Sequence, residues 1–284
     1  MELASVIIIT KNQSSFLNKC LCSILEQTYK NIEIIIVDNG SIDNTKNIID
    51  SNNSRKNIKY FFNDNNIGMA ALRNFGILKS RGHYIFFTDS DCLATKNWVE
   101  EGMRLLLEFN YAGIEGRTIA ENNNFGISNH FVENFTGGQY PTCNMAYKKE
   151  ILLKCNLFNE KYFLAYEDID LAIRIKKENE IFFSTNMIVL HQIVPWSTKK
   201  IILNAKRAKY KVMLIKEHNY RQLLKFNILE INSLIQLLFP FLLPLYFRIK
   251  NLRDIYFLPI FFIRALLHRI IVWKTAIKEK ILIF

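Results

Sequence analysis

Acidic residues are scarce in the last third of this chain. Residues 199–284 carry 17 Lys and Arg against 4 Asp and Glu, a net of +13. Residues 1–198 hold 20 basic and 22 acidic side chains, so the overall charge of +11 sits almost wholly in the tail. A near-neutral globular part is therefore followed by a basic part suited to an anionic surface. A cysteine framework is also missing. Cys20, Cys22, Cys92, Cys143 and Cys155 are odd in number and match no zinc or disulfide spacing, so five buried, reduced thiols of a cytosolic protein are expected. Cys20 and Cys22 share a predicted helix and point to different sides. Neither a basic n-region nor a cleavage site precedes Ala4–Thr10, and no signal peptide is expected. Repeats and low-complexity tracts are absent. Uninterrupted apolar runs of the roughly 20 residues that a spanning helix needs are absent too. Leu237–Phe247 contains Pro240 and Pro244, Ile255–Ile263 contains Pro259, and Phe226–Phe247 is long enough only if kinked.

What is present is an alternation of apolar strands with helical patterns. Ala4–Thr10 and Ile32–Val37 are β-branched runs that read as buried strands. Between them, after the turn Lys11-Asn12-Gln13, Ser14 or Ser15 caps a helix with Phe16, Leu17, Cys20, Leu21, Ile24 and Leu25 on its apolar face. Asp38-Asn39-Gly40-Ser41 punctuates the second strand. A helix from about Thr45, a strand over Ile58–Phe62, a helix over Met69–Leu78 and a strand over Tyr84–Thr88 follow. Strand–helix alternation with short connections indicates an α/β sandwich with a mostly parallel sheet.

The pattern converges on Phe86-Phe87-Thr88-Asp89-Ser90-Asp91, where an apolar strand runs into two carboxylates one residue apart. Open α/β sheets bind ligands at the C-terminal ends of their strands, and an Asp-x-Asp pair suits a hard divalent cation. Alone, the same residues also suit a loop that caps the next helix. Further on, Lys96–Phe109 reads as a helix and Ala112–Ile119 as a strand. The Asn- and Gly-rich residues 121–142 read as a mobile surface loop. Lys148–Cys155 is a predicted short helix. Glu167-Asp168-Ile169-Asp170 opens another, with acids in its first turn as the helix dipole prefers. Ile181–Ser184 and Met187–Leu190 are predicted short strands, with His191 after the second.

Taken in order, Val6–Thr10, Val37-Asp38-Asn39-Gly40-Ser41, Asn66-Ile67-Gly68 with Ala71-Leu72-Arg73-Asn74, Thr88-Asp89-Ser90-Asp91, and Glu167-Asp168-Ile169-Asp170-Leu171 with Arg174 resemble family 2 glycosyltransferases of the GT-A fold. The resemblance covers roughly residues 4–195. It implies a nucleotide-sugar donor, a divalent cation (Mn2+ or Mg2+) and transfer with inversion at the anomeric carbon. By the same resemblance, Asp38 would accept a hydrogen bond from the nucleotide base, with a uracil N–H as its natural donor. Thr10 and Asn12 would line the nucleotide pocket. Asn66 and Gly68 would let backbone approach the nucleotide, since glycine has no Cβ. Arg73 would sit near the diphosphate. Asp91 would bind the metal, Asp89 the ribose or the metal, and His191 the metal or diphosphate. Asp168 is the expected general base, with Glu167 positioning the acceptor or supporting it. Asp170 and Arg174, spaced i, i+4, would pair structurally. Gly137, Gly138, Thr142 and Asn144 lie where the family's acceptor site begins.

The tail beyond residue 198 alternates basic clusters with apolar ones. Such a pattern fits interfacial helices on the anionic cytoplasmic leaflet, peripheral in preference to spanning. So many apolar residues argue against nucleic acid as the partner. The expected organisation is a GT-A catalytic domain over 1–198, with a nucleotide-sugar half to about 95 and an acceptor half from about 96, and a helical membrane-associated tail over 199–284. The expected activity is sugar transfer from a UDP-sugar to a glycan or lipid-linked acceptor in surface polysaccharide synthesis, with a homo-oligomer left open. A nucleotidylyltransferase would want a Gly-rich, basic signature after the first strand, which Thr10-Lys11-Asn12-Gln13 lacks. A non-catalytic nucleotide-sugar-binding protein or membrane scaffold would not require an intact set of acids.

Overall fold

The computed structural model describes residues 1–52, 57–65, 67–225, 231–238, 249–250 and 252–283. Asn66 and most of the apolar stretch 226–247 lie outside the described residues. The chain forms two compact units. One comprises Met1–Glu121, Phe131–Phe163 and Glu167–Gln192; the other comprises Asn122–His130, Leu164–Tyr166 and Ile193–Phe284.

In chain order the first unit contains β1 (Ala4–Thr10), α1 (Ser14–Leu25), β2 (Ile32–Asp38), α2 (Thr45–Asn52), β3 (Ile58–Phe62), α3 (Met69–Lys79), β4 (Tyr84–Asp89), β5 (Cys92–Ala94), α4 (Trp98–Glu108) and β6 (Gly113–Ala120). The short strand β7 (Asn129–His130) belongs to the second unit. The first unit resumes with β8 (Met145–Lys148), α5 (Lys149–Lys154), α6 (Glu167–Ile175) and β9 (Ile181–His191). The second continues with β10 (Val194–Pro195), α7 (Thr198–Asn204), α8 (Arg207–His218), α9 (Ile231–Leu238) and the C-terminal helix Leu252–Glu279.

Eight strands form one sheet in the order β3-β2-β1-β4-β8-β6-β9-β5. The β1–β2, β1–β4, β2–β3 and β6–β9 pairings are parallel, and β8 and β5 pair antiparallel with their neighbours. Side chains alternate across the sheet because the strand period is two. Val6, Ile8, Ile34, Ile36 and Phe86 pack on one face with Leu17, Leu21, Ile24, Trp98, Met103 and Leu106 from α1 and α4. Ile7, Ile9, Ile35, Val37, Ile85 and Phe87 pack on the other with Leu72 and Ile77 of α3 and Leu171 and Ile175 of α6. Each such buried side chain contributes about 1.5–3 kcal/mol, so two helical layers clamp the sheet rigidly. At its opposite end Glu33 accepts hydrogen bonds from Ser5, Lys59, Arg81 and Gly82. Burial works against its charge, but the bonds from Ser5, Arg81 and Lys59 outweigh burial and draw the carboxyl down to about 2.

Several local expectations change. The two predicted strands after α6 are one strand, β9. Its register jumps, so that Gly116 faces Ser184 while Arg117 faces Ile188. Ser184 Oγ accepts the amides of Asn186 and Met187 and closes the bulge. The predicted helix at Lys148 is a strand ending at Lys148 followed by a helix from Lys149. Residues 121–142 are not a plain surface loop: Ile127, Ser128 and Asn134 are buried. Polar partners hold this segment where apolar residues are few. Asn134 exchanges backbone bonds with Thr118, its Nδ2 donates to Glu115, and its Oδ1 accepts the Gly137 amide. The five cysteines are free thiols, but Cys22 and Cys155 are only half-buried. In the second unit, Pro259 lies inside a helix of 28 residues and does not end it. That helix is long and apolar enough to cross a membrane by length and composition.

Candidate active site

The parallel register aligns the C-terminal ends of β1, β2 and β4, opposing Thr10 to Asp38 and Ile9 to Asp89. The residues singled out at these ends in the sequence therefore share one edge of the sheet. The loops after β1 and β2 are knitted together. Asn12, at φ 51°, donates its backbone N–H to Ser41 Oγ, and its Oδ1 accepts the Ile42 amide. Asp38 is buried at the base of this loop pair. Its Oδ1 accepts the Ser41 amide at 2.9 Å, and its Oδ2 accepts the Tyr60 hydroxyl at 2.8 Å. Burial, then Asp38, push the Tyr60 phenol up, so Tyr60 stays a donor. Thr10 Oγ1 is buried with no hydrogen-bond partner among the described residues.

Arg73 projects from α3 into the protein, where it is 3 % exposed. Its Nη1 donates to Glu167 Oε1 at 2.6 Å, and its Nη2 lies 3.5 Å from Asp89 Oδ1. Burial opposes the guanidinium charge, but Glu167, Asp89 and Asp168 outweigh burial and raise its pKa. Arg73 thus ties the end of β4 to the start of α6, its partner Glu167 lying 94 positions further along the sequence. Asp89 is pulled both ways. Burial raises its carboxyl pKa, Arg73 lowers it, Asp91 raises it, and the net shift is upward. Its Oδ1 and Glu167 Oε2 are buried with no hydrogen-bond partner among the described residues.

Asp168 follows Glu167 in the first turn of α6 and is half-buried, with its Oδ1 accepting the Ile169 amide at 2.8 Å. Tyr166, just ahead of the acids, holds φ 71°. A left-handed aromatic residue is a strained one, and such strain clusters at functional sites. Asp170 and Arg174 do pair, at 2.6 Å, and Arg174 also donates to the carbonyls of Cys155 and Leu157. Gly68 serves a protein contact. A Cβ there would lie 2.8 Å from the Phe163 ring and 3.0 Å from the Phe163 carbonyl.

Asp91, just ahead of β5, meets His191 at the end of β9, with Asp91 Oδ1 3.7 Å from His191 Nε2. His191 Nδ1 lies 2.8 Å from the Gln192 carbonyl and donates to it, so in the neutral ring Nε2 carries the lone pair. Cys92 completes a cluster in which one donor atom from each of Asp91, Cys92 and His191 lies within 4.8 Å of the others. Oxygen, nitrogen and sulfur donors gathered at this spacing fit a divalent cation. Asp89 is not in this cluster; it faces Arg73.

Gln13, read in the sequence only as part of a turn, is a missed member of the site. Its Nε2 donates to Asp91 Oδ2 at 2.9 Å and its Oε1 accepts from Ser90. Glu115 is a second. It accepts the amides of Gly138, Gln139 and Tyr140, and so holds a loop in which Gly137, Gly138 and Tyr140 have positive φ. Of the expected acceptor residues, Gly138 lies in that loop with open space where a Cβ would project. Thr142 and Asn144 are core residues. Asn144 is fully buried, accepts from Trp98 Nε1 and donates to the carbonyls of Arg117 and Met187.

Over 149 residues the chain is 35 % identical to an uncharacterized glycosyltransferase of Haemophilus influenzae, covering 51 % of this chain and 50 % of that one. It is 40 % identical over 100 residues to glycosyltransferase GlyG of Streptococcus pneumoniae, covering 35 % of this chain and 33 % of the relative. The chain thus spans half or less of these curated relatives. Among solved structures, S. aureus TarS 1–349 in complex with UDP-GlcNAc superposes with a TM-score of 0.61 at 16 % identity, over 98 % of this chain and 92 % of that one. The mannosyltransferase PcManGT from Pyrobaculum calidifontis, in complex with GDP-Man and Mn2+, gives 0.58 at 15 % identity, over 98 % and 74 %. The fold is GT-A, a mixed α/β sandwich. The family pattern described as glycosyl transferase family 2 matches residues 5–157, more than half of the sequence. The chain belongs to glycosyl transferase family 2.

Proposed function

We propose that the chain is an inverting, metal-dependent glycosyltransferase that moves a sugar from a nucleotide-sugar to a glycan or lipid-linked acceptor in surface polysaccharide synthesis. One observation carries this reading. Asp89, Glu167 and Asp168 gather around a single buried cation, Arg73, beside the Asp91–His191 pair at the end of the sheet. A UDP-sugar is the first-choice donor. Each Asp38 oxygen accepts one internal bond and retains a second lone pair for a uracil N–H. Thr10, Asn12, Gly68 and Arg73 shape the same donor pocket, the glycine and the arginine through the protein contacts they make.

Asp91 and His191 would hold the divalent cation, Mn2+ or Mg2+, with Asp89 toward the ribose. When bound, the cation neutralises charge growing on the departing diphosphate. Gln13 fixes the Asp91 carboxylate. Asp168 removes the proton from the acceptor hydroxyl on the face opposite the leaving group. Glu167, committed to Arg73, sets the start of α6 and so the position of Asp168. Gly138 borders the acceptor; the core positions of Thr142 and Asn144 give them a supporting part.

The catalytic part is assigned to 1–198 and a tail to 199–284, on the cytoplasmic face of the membrane. On the C-terminal helix Leu252, Tyr256, Ile263, Leu266, Trp273 and Ile277 are exposed at spacings of three, four or seven. That stripe, in a tail of net charge +13, supports interfacial binding. Fractionated cells should therefore hold the protein with the membranes, and that fraction should release nucleoside diphosphate from a UDP-sugar in a panel of donors, with chelator abolishing release. Protein wholly soluble without detergent overturns the membrane reading; no release from any donor overturns the enzymatic one.

A further inference from the structure

We infer that Cys92 is a third protein ligand of the cation at Asp91 and His191, and that it gives the site a preference for zinc or cobalt over magnesium. This rests on the cation site proposed above and adds a residue to which the glycosyltransferase resemblance gives no role. Cys92 and His191 stand directly opposite each other on the antiparallel strands β5 and β9. Asp91 immediately precedes Cys92, and its Oδ1 lies 3.8 Å from Cys92 Sγ and 3.7 Å from His191 Nε2. All three residues are buried, at 7 % exposure for Asp91, 0 % for Cys92 and 2 % for His191.

The spacing matches a shared ion. Metal bonds of about 2.3 Å to sulfur and about 2.0–2.2 Å to nitrogen or oxygen place two ligands of one tetrahedral ion about 3.3–3.7 Å apart. The observed separations need a contraction of tenths of an ångström. The ligand atoms are also prepared. Gln192 fixes the histidine tautomer that leaves Nε2 as the ligating nitrogen, and Gln13 holds the other Asp91 oxygen. Coordination converts the Cys92 thiol to thiolate, and its proton passes to solvent. Magnesium demands an octahedral oxygen shell and gains little from sulfur and nitrogen, whereas zinc and cobalt accept all three donor types. Cys143 lies in hydrogen-bond contact with Cys92, inside the same core.

Cobalt(II) titrated into the full-length protein provides the test. Wild type and Cys143→Ser should both develop the near-ultraviolet thiolate-to-cobalt charge-transfer band. Cys92→Ser should lose the band and bind cobalt about 10- to 100-fold more weakly, the scale seen when a metal site loses a supporting group. A hundredfold excess of magnesium should leave the wild-type band intact. Cobalt bound by wild type with no such band, or a band retained in Cys92→Ser, overturns the ligand assignment while leaving a cation at Asp91 and His191. Displacement by magnesium overturns the preference. No uptake of cobalt or manganese by wild type overturns the cation site itself. The wild-type spectrum reads ligation directly, so the test survives a variant that folds poorly.

Discussion

Replacing Asp168 by Asn is expected to lower kcat by about 100- to 10,000-fold, the usual contribution of a positioned general base. Asn keeps the size of Asp and an oxygen to accept the Ile169 amide that Asp168 Oδ1 now accepts at 2.8 Å. The first turn of α6 should therefore survive, and donor KM should stay within a few-fold of wild type. What is lost is the carboxylate that takes the acceptor proton. Arg73 would also lose one of the three carboxylates that raise its pKa, but not Glu167, its direct partner. Turnover is read as nucleoside diphosphate release under saturating donor. A variant that turns over like wild type removes Asp168 from the chemistry and returns the acidic run to a helix-start role.

The second large effect is on stability. Arg73→Met is expected to cost about 3–5 kcal/mol, because breaking a buried pair strands its partner. Two carboxylates would be stranded here: Glu167, bonded at 2.6 Å, and Asp89, 3.5 Å away. Removing the second charge as well, in Arg73→Met/Glu167→Met, should recover part of that loss, since an apolar pair has no ion to desolvate. Urea denaturation of the single and double variants measures both terms. A single variant within about 1 kcal/mol of wild type would mean that solvent screens this pair as it does a surface one.

Much of this was legible in the sequence because it is local. Continuous β-branched and apolar runs located β1, β2 and β4, Asp-bearing turns marked the ends of β2 and β4, and the parallel register brought the three ends together without further instruction. The acids of Glu167-Asp168-Ile169-Asp170 read correctly as a helix start. What was hidden depends on partners distant in sequence. Arg73 was expected near the diphosphate, but its bond to Glu167 depends on α6, which lies far along the chain. Asn144 reads as a pocket residue, yet Trp98, Arg117 and Met187 from three separate elements use up its hydrogen-bonding groups. Gln13 carries no signature at all, since a glutamine in a turn gives no hint that Asp91 will fold against it. Polar residues 121–142 were misread for a related reason. Apolar content predicts burial by transfer energy, whereas Asn134 and Glu115 are buried by mutual hydrogen bonding, which composition does not reveal. Pro259 was taken as a break, but one lost helix hydrogen bond does not stop an apolar helix of 28 residues.

The most direct measurement is the configuration of the first-formed sugar product, followed by proton NMR before mutarotation, with a UDP-sugar as donor. A single displacement assisted by Asp168 predicts the anomer opposite to that of the donor. A product that retains the donor's configuration would contradict the mechanism, since one in-line attack cannot give it.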